Sequence, residues 1–137
     1  MDISRNKQHE NIITVIYNEL VDFNMGEGKV FRDARELICG ACDCSYEEVP
    51  DFIKDSVTYS LQNYGKIRDE FSTHLKGWQW SRLPLLTQAV LIKSYAHSKI
   101  DPVDKKVIIN IGVNYAKKYI EPKQAKFINA ILDEVLN

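Results

Sequence analysis

Apolar residues recur three and four positions apart along almost the whole chain, and no stretch alternates strictly enough to make a half-buried strand. The pattern predicts an all-α protein. Ile12, Ile13, Ile16, Tyr17, Leu20 and Val21 form one helical face that ends near Asn24 and the turn Gly26-Glu27-Gly28. Val30, Ala34, Leu37 and Ile38 predict a shorter helix stopping near Gly40. Ser45 and Glu48 have capping-box spacing, and Pro50 suits the first turn of a helix carrying Phe52, Ile53, Val57 and Leu61. Tyr64, Ile67, Phe71 and Leu75 continue the period past Gly65, where a break is expected.

Beyond Trp78 and Trp80, Ser81 can cap and Pro84 can open a helix whose residues Leu85 to Ile92 leave little polar surface. That helix is predicted to be central. Asp101-Pro102 marks the next start, with Val103, Val107, Ile108, Ile111, Tyr115, Ala116 and Tyr119 on its buried stripe and Glu121-Pro122 at its end. Phe127, Ile128, Ile131, Leu132, Val135 and Leu136 give the last helix the cleanest spacing of all. Five to seven helices around one core, in a single domain over residues 1–137, account for the pattern. Asn110, Asn114 and Asn129 stand beside positions expected to be buried, so their amides are expected to tie helix ends or loops together.

Composition adds exclusions. A chain of 137 residues with 45% hydrophobic and 27% charged positions is neither disordered nor repetitive, and needs no disulfide or metal to hold its core. Charges interrupt every apolar run well short of a membrane span, and residues 1–6 lack the order of a signal peptide, so a cytoplasmic protein is expected. The overall charge of −1 conceals an asymmetry. Residues 1–75 hold 8 Lys/Arg against 14 Asp/Glu, whereas residues 76–137 hold 10 against 5. A basic region on one part of a folded particle can attract a polyanion and orient it. A solvated lysine-rich helix face gives the same arithmetic, so charge alone leaves both readings open.

Enzyme chemistry finds little footing. Gly26-Glu27-Gly28-Lys29 lacks the spacer, the following Ser/Thr and the preceding strand of a phosphate loop. Cys39, Cys42 and Cys44 could approach one soft metal ion, but zinc takes four ligands and no histidine is near, which favours buried or incidental thiols. His9, His74 and His97 show no metalloprotease spacing, and no carboxylate stands alone in an apolar run that would tune it for acid–base work. The sequence predicts a binding protein without catalytic residues, metal or cofactor.

Three segments carry a more specific signal: Lys106-Val107-Ile108-Ile109-Asn110, Ala116-Lys117-Lys118-Tyr119 and, above all, Lys126-Phe127-Ile128-Asn129-Ala130-Ile131-Leu132-Asp133. The last resembles the Lys-Phe-(Val/Ile)-Asn-(Gly/Ala)-(Val/Ile)-Leu-Asp signature of the NusB family of bacterial transcription antitermination factors. Leu75 to Tyr95, with Trp78, Arg82-Leu83 and Ala89-Val90-Leu91, is similar to the family's approach to its central helix, and weaker similarity in the first helix, ending at Tyr17, extends the match over nearly the whole chain. The resemblance implies a compact bundle of two small helical subdomains. It also implies binding of boxA-type single-stranded leader or ribosomal RNA together with the small-subunit ribosomal protein NusE, within the RNA polymerase antitermination complex. Monomers and homodimers both fit it.

The family's arginine-rich start of the first helix falls on Arg5, Asn6, Lys7 and His9, so two permanent charges are missing here. Further RNA-facing positions fall at His74, Lys123 and Phe127; Lys123 replaces a residue that is often acidic. Ile109-Asn110-Ile111-Gly112 and Tyr95-Ala96-His97 each lack an acidic side chain the family usually has. The expected RNA surface therefore comprises Arg5, Lys7, His9, His74, Lys117, Lys118, Lys123, Lys126 and Phe127. A different class of function, a module that docks a ribosomal protein without reading RNA, is motivated by the depleted N-terminal arginines. The related domain attached to ribosomal RNA cytosine methyltransferases is disfavoured, since no glycine-rich cofactor-binding unit accompanies it.

Overall fold

A computed structural model of the chain describes residues 3–25 and 33–136. Among them are seven α-helices and no strand: α1 (Arg5–Met25), α2 (Ala34–Cys42), α3 (Asp51–Gln62), α4 (Tyr64–Ser72), α5 (Leu85–Ile100), α6 (Lys105–Tyr119) and α7 (Pro122–Val135). Single 3-10 turns at Tyr46–Glu48 and Trp80–Arg82 complete the regular structure. The expected Val30 and the glycine turn at residues 26–28, with Lys29, lie outside the described residues.

The ends follow local chemistry more than apolar spacing. Asp33 accepts from the Arg35 N–H at 2.7 Å and Asp104 from the Lys106 N–H at 2.9 Å, each satisfying a donor that the first helical turn leaves over. Asp104 thus caps α6, and Asp101-Pro102 lies before its start. Pro50 and Pro84 sit one residue ahead of α3 and α5, with extended ψ, rather than inside them; only Pro122 occupies the first helical position. The capping box does not form: Ser45 Oγ donates to Glu48 Oε1 at 2.8 Å and no backbone N–H is capped. The break near Gly65 falls at Asn63, which keeps Gly65 within α4.

Helix α5 is the axis of the fold. From Thr87 to Ala96 every side chain is buried, as is His97, because α1 and α3 pack on one side and α4, α6 and α7 on the other. Its polar groups are largely used internally. Gln88 Nε2 donates to the carbonyls of Trp80 and Leu83, both at 3.1 Å, and pins the 3-10 turn to the helix. Thr87 Oγ1 donates to Gln124 Oε1 at 2.9 Å, tying α5 to α7. Ala125, Ile128, Ile131 and Leu132 close the same core from α7, each large aliphatic side chain contributing about 1.5–3 kcal/mol of burial. Gly112 lets α6 approach closely: a Cβ there would lie 3.3 Å from Val90 and 3.5 Å from Ile128.

Two expectations for α6 fail. Val103, Val107 and Tyr119 are 44%, 49% and 45% exposed, because the buried stripe runs through Ile108, Ile109, Gly112 and Ala116. Asn110, Asn114 and Asn129 are exposed instead of tying helix ends, and Asn110 and Asn129 line an open groove of about 540 Å³ between α6 and α7. Asn110 and Asn114 sit about 100° or more around α6 from its buried residues and Asn129 about 40° from Ala125, at the margin of the α7 stripe, which a count of neighbouring apolar residues does not resolve.

Candidate nucleic-acid interface

The first turn of α1 lies against the ends of α5 and α6. Arg5 stacks its guanidinium 4.0 Å above the Phe52 ring, with a nitrogen 3.8 Å from Asp101, and both ionic groups remain about half exposed. Lys7 is exposed. One turn on, Glu10 accepts from the Tyr119 hydroxyl at 2.9 Å and from Lys118 Nζ at 3.4 Å. The Tyr119 hydroxyl holds the Glu10 carboxyl below its ordinary range, assisted by Lys118. Tyr115 packs at 4.7 Å against Tyr119 with the rings tilted by 45° and, with Asn6, His9, Asn114 and Lys118, lines a cleft of about 270 Å³ between α1 and α6. Burial pushes the Tyr115 phenol up to about 12.

His9 is a correction. Expected on the RNA side, it is 5% exposed, edge-on to Phe52 at 5.4 Å and stacked on His97 at 5.6 Å. Burial first, then the charges of Lys93, His97 and Arg5, lower its pKa to about 3, so the ring is neutral. It contributes wall to the cleft and no cation. The reason is helical phase: Lys7 and His9 are about 200° apart around α1, so both cannot face out.

A second concavity, a groove of about 230 Å³, is lined by His74, Lys76, Trp78, Phe127 and Glu134. His74 Nδ1 lies 3.4 Å and Lys76 Nζ 3.9 Å from Glu134. Phe127 is half-buried, packed against the core on one side and lining the groove on the other. Its place on the apolar stripe and the RNA-facing position that the resemblance implies are therefore geometrically compatible. Lys123 lies one turn before Phe127 on the same line of α7, and Lys126 is adjacent; both are exposed.

The cleft and the groove are joined by the chain itself. Lys117 and Lys118 end α6, Ile120 and Glu121 make the link, and Lys123, Lys126 and Phe127 fall in the next two turns of α7, within about 8 Å of rise. Among the described residues Lys117, Lys123 and Lys126 have no acidic partner, whereas Lys118 and Arg5 do. Lys118 thus lines the cleft and His74 and Phe127 the groove, with Lys117, Lys123 and Lys126 exposed on the helix ends that join them in sequence.

Several residues at the site were not singled out from the sequence. Trp78 carries no site signal in its sequence context, and the four-residue spacing of Tyr115 and Tyr119 fits a buried stripe as well as a shared cleft wall. Lys93 is 1% exposed, and its Nζ has no hydrogen-bond partner. Burial, with Arg5 adding, lowers its pKa to about 7. His97 beside it is lowered to about 4 by burial and Lys93 against the opposing pull of Asp101. The Cys39, Cys42 and Cys44 thiols are free and half-buried, and burial first raises the Cys42 pKa. Among the described residues no three His, Cys, Asp or Glu side chains gather as metal ligands would, and no helix is long and apolar enough to cross a membrane.

Comparison with known proteins agrees with this architecture. The model of the NusB family matches residues 11–137. The transcription antitermination protein NusB of Macrococcus caseolyticus is 30% identical over 98% of this chain and 97% of its own length. Thermotoga maritima NusB superposes with a TM-score of 0.78 at 19% identity, covering 99% of this chain and 92% of that one. A chain in a crystal structure described as a plectonemic RNA supercoil superposes with a TM-score of 0.74, also at 19% identity, covering 96% of this chain and 94% of that one.

Proposed function

Since the chain belongs to the NusB family of transcription antitermination proteins, we propose that it binds boxA-type single-stranded leader or ribosomal RNA in the cytoplasm, in company with the small ribosomal protein NusE, as part of the RNA polymerase antitermination complex. It acts by binding, as one domain over residues 1–137, and not by catalysis. Lys7, Lys117, Lys123 and Lys126 supply the phosphate contacts; Phe127 and His74 offer ring surface to unpaired bases, each stack contributing about 1–3 kcal/mol. Arg5 and Lys118 are secondary contacts because each already faces a carboxylate.

The observation that carries this reading is the pair of exposed lysines, Lys123 and Lys126, in the turn just before a half-buried Phe127 on α7. A phosphate and its base need that combination of mobile cation and fixed aromatic edge. Lys123→Glu with Lys126→Glu is expected to weaken boxA-like RNA binding about tenfold or more and to flatten its salt slope by about 1.4, because two fewer counterions are displaced. An unchanged far-ultraviolet circular dichroism spectrum separates this from unfolding. Unchanged affinity would place the RNA elsewhere.

The internal pairing of Arg5, Lys118 and His74 favours a second reading, a module that docks the ribosomal protein without reading RNA. Co-purification with the NusE-like protein and no gel shift on boxA-like RNA, alone or with that protein, would select it.

A further inference from the structure

Trp78 is 65% exposed, an unusual position for the largest side chain in a protein with a well-filled core. The loop that carries it is held in place. Leu75 is buried on one side of it, and the Trp78 N–H donates to the Leu75 carbonyl at 3.2 Å. Gly77, at φ +80°, makes a turn that a residue with a Cβ adopts only under strain. On the other side Trp80 is 7% exposed, stacks on Phe71 at 5.8 Å and donates from Nε1 to the Tyr64 hydroxyl at 3.2 Å. The Gln88 amide then ties the Trp80 carbonyl to α5. One tryptophan anchors the loop and the other is presented by it.

Trp78 also lines the groove that contains Phe127 and His74, and on its other side forms a shallow depression with Gly77 and Arg82. Lys76 and Glu134 line the groove beside it and Arg82 lines the depression, two cations to one carboxylate. A flat ring carried on an anchored loop and bordered by a net excess of cations suits a planar group attached to an anionic backbone. We propose that Trp78 is a base-stacking residue, which extends the RNA path from Phe127 past His74 to the loop between α4 and α5. The inference rests on the RNA reading above and adds a nucleotide contact to it.

Because Trp80 is buried, emission quenched by a ligand on this surface comes from Trp78. Titrating the full chain with a fluorescein-labelled boxA-like single-stranded RNA, and separately with the unlabelled RNA, reads affinity and tryptophan emission. The expected result is quenching in the wild-type protein that is lost in Trp78→Phe. Trp78→Ala is expected to weaken binding about tenfold, the size of one lost stack, with an unaltered salt slope because no charge is removed. Trp78→Phe should restore most of the affinity. Wild-type affinity in Trp78→Ala, or emission unmoved at saturating RNA, overturns the proposal while leaving the RNA reading intact. Loss of NusE-like protein binding in Trp78→Ala with RNA binding unchanged overturns it in favour of a protein contact. A wild-type protein that binds no RNA removes both.

Discussion

The Glu10 carboxylate accepts a 2.9 Å hydrogen bond from the Tyr119 hydroxyl, joining the second turn of α1 to the last turn of α6. With Lys118 at 3.4 Å, Glu10 occupies the donors that an RNA phosphate would use at this end of the surface. Glu10→Gln removes the competing charge and releases Lys118. RNA affinity is expected to rise about threefold at low salt, and the salt slope to steepen by about 0.7, the contribution of one more displaced counterion. Fluorescence anisotropy at several salt concentrations checks both numbers.

The buried trio of Lys93, His9 and His97 sets how stability responds to pH. Phe52, Arg5 and Asp101 border it, and the Asp101 carboxylate lies 3.7 Å from His97. All three bases have pKa values below their ordinary ones in the folded state: about 7 for Lys93 and about 3 and 4 for the histidines. The unfolded chain therefore binds more protons, and stability falls as pH falls, from about 10.5 to 7 for the lysine and from about 6.5 to 4 for the histidines. Thermal melts are expected to drop steadily between pH 7 and pH 4. A rising or flat melting temperature over that interval contradicts the burial of the two rings.

Lys93→Met keeps the volume of the stem and removes the unpaired ammonium. It is expected to raise Tm at pH 7 by about 3 °C or more, equivalent to roughly 1 kcal/mol for a chain of this size. Its effect should shrink toward pH 10, where the unfolded lysine also begins to lose its proton. Differential scanning fluorimetry of the pair across that range reads the difference.

Gly112 tests the packing of α6 on α5 and α7. An added methyl meets Val90 at 3.3 Å, a contact that the helix propensity gained over glycine, about 1 kcal/mol, can offset. Gly112→Ala is therefore expected within about 1 kcal/mol of wild type. Gly112→Leu should cost about 2–3 kcal/mol through overpacking. Urea denaturation with an unchanged m-value distinguishes the two.

The helices are legible because a stripe such as Ile128, Ile131 and Leu132 can be buried by only one local structure, but their phase is less so: on α6, Val107 and Tyr119 face out while Ile109 and Gly112 face in. The same holds for their ends. Pro50 and Pro84 can open a helix from inside or from one residue before it, and the capping hydrogen bonds decide which. At the site, motif position located His9 and Phe127, but the facing of a side chain depends on helical phase and on what packs against it. His9 was drawn inward by Phe52 and His97, two residues far away in the sequence. Lys93 could not be read as buried from its neighbours, since a lysine in an apolar helix ordinarily snorkels to solvent. The pairing of Glu10 with Tyr119 spans most of the chain and has no local signature.

The central claim is that a cationic band around the α6–α7 turn holds an RNA backbone. The most direct test is the salt dependence of boxA-like RNA binding by the wild-type protein, with and without the NusE-like partner. Four unpaired or exposed cations, Lys7, Lys117, Lys123 and Lys126, predict a slope of log affinity against log salt of about −3. A complex whose affinity does not change with salt, or no complex under either condition, contradicts the account.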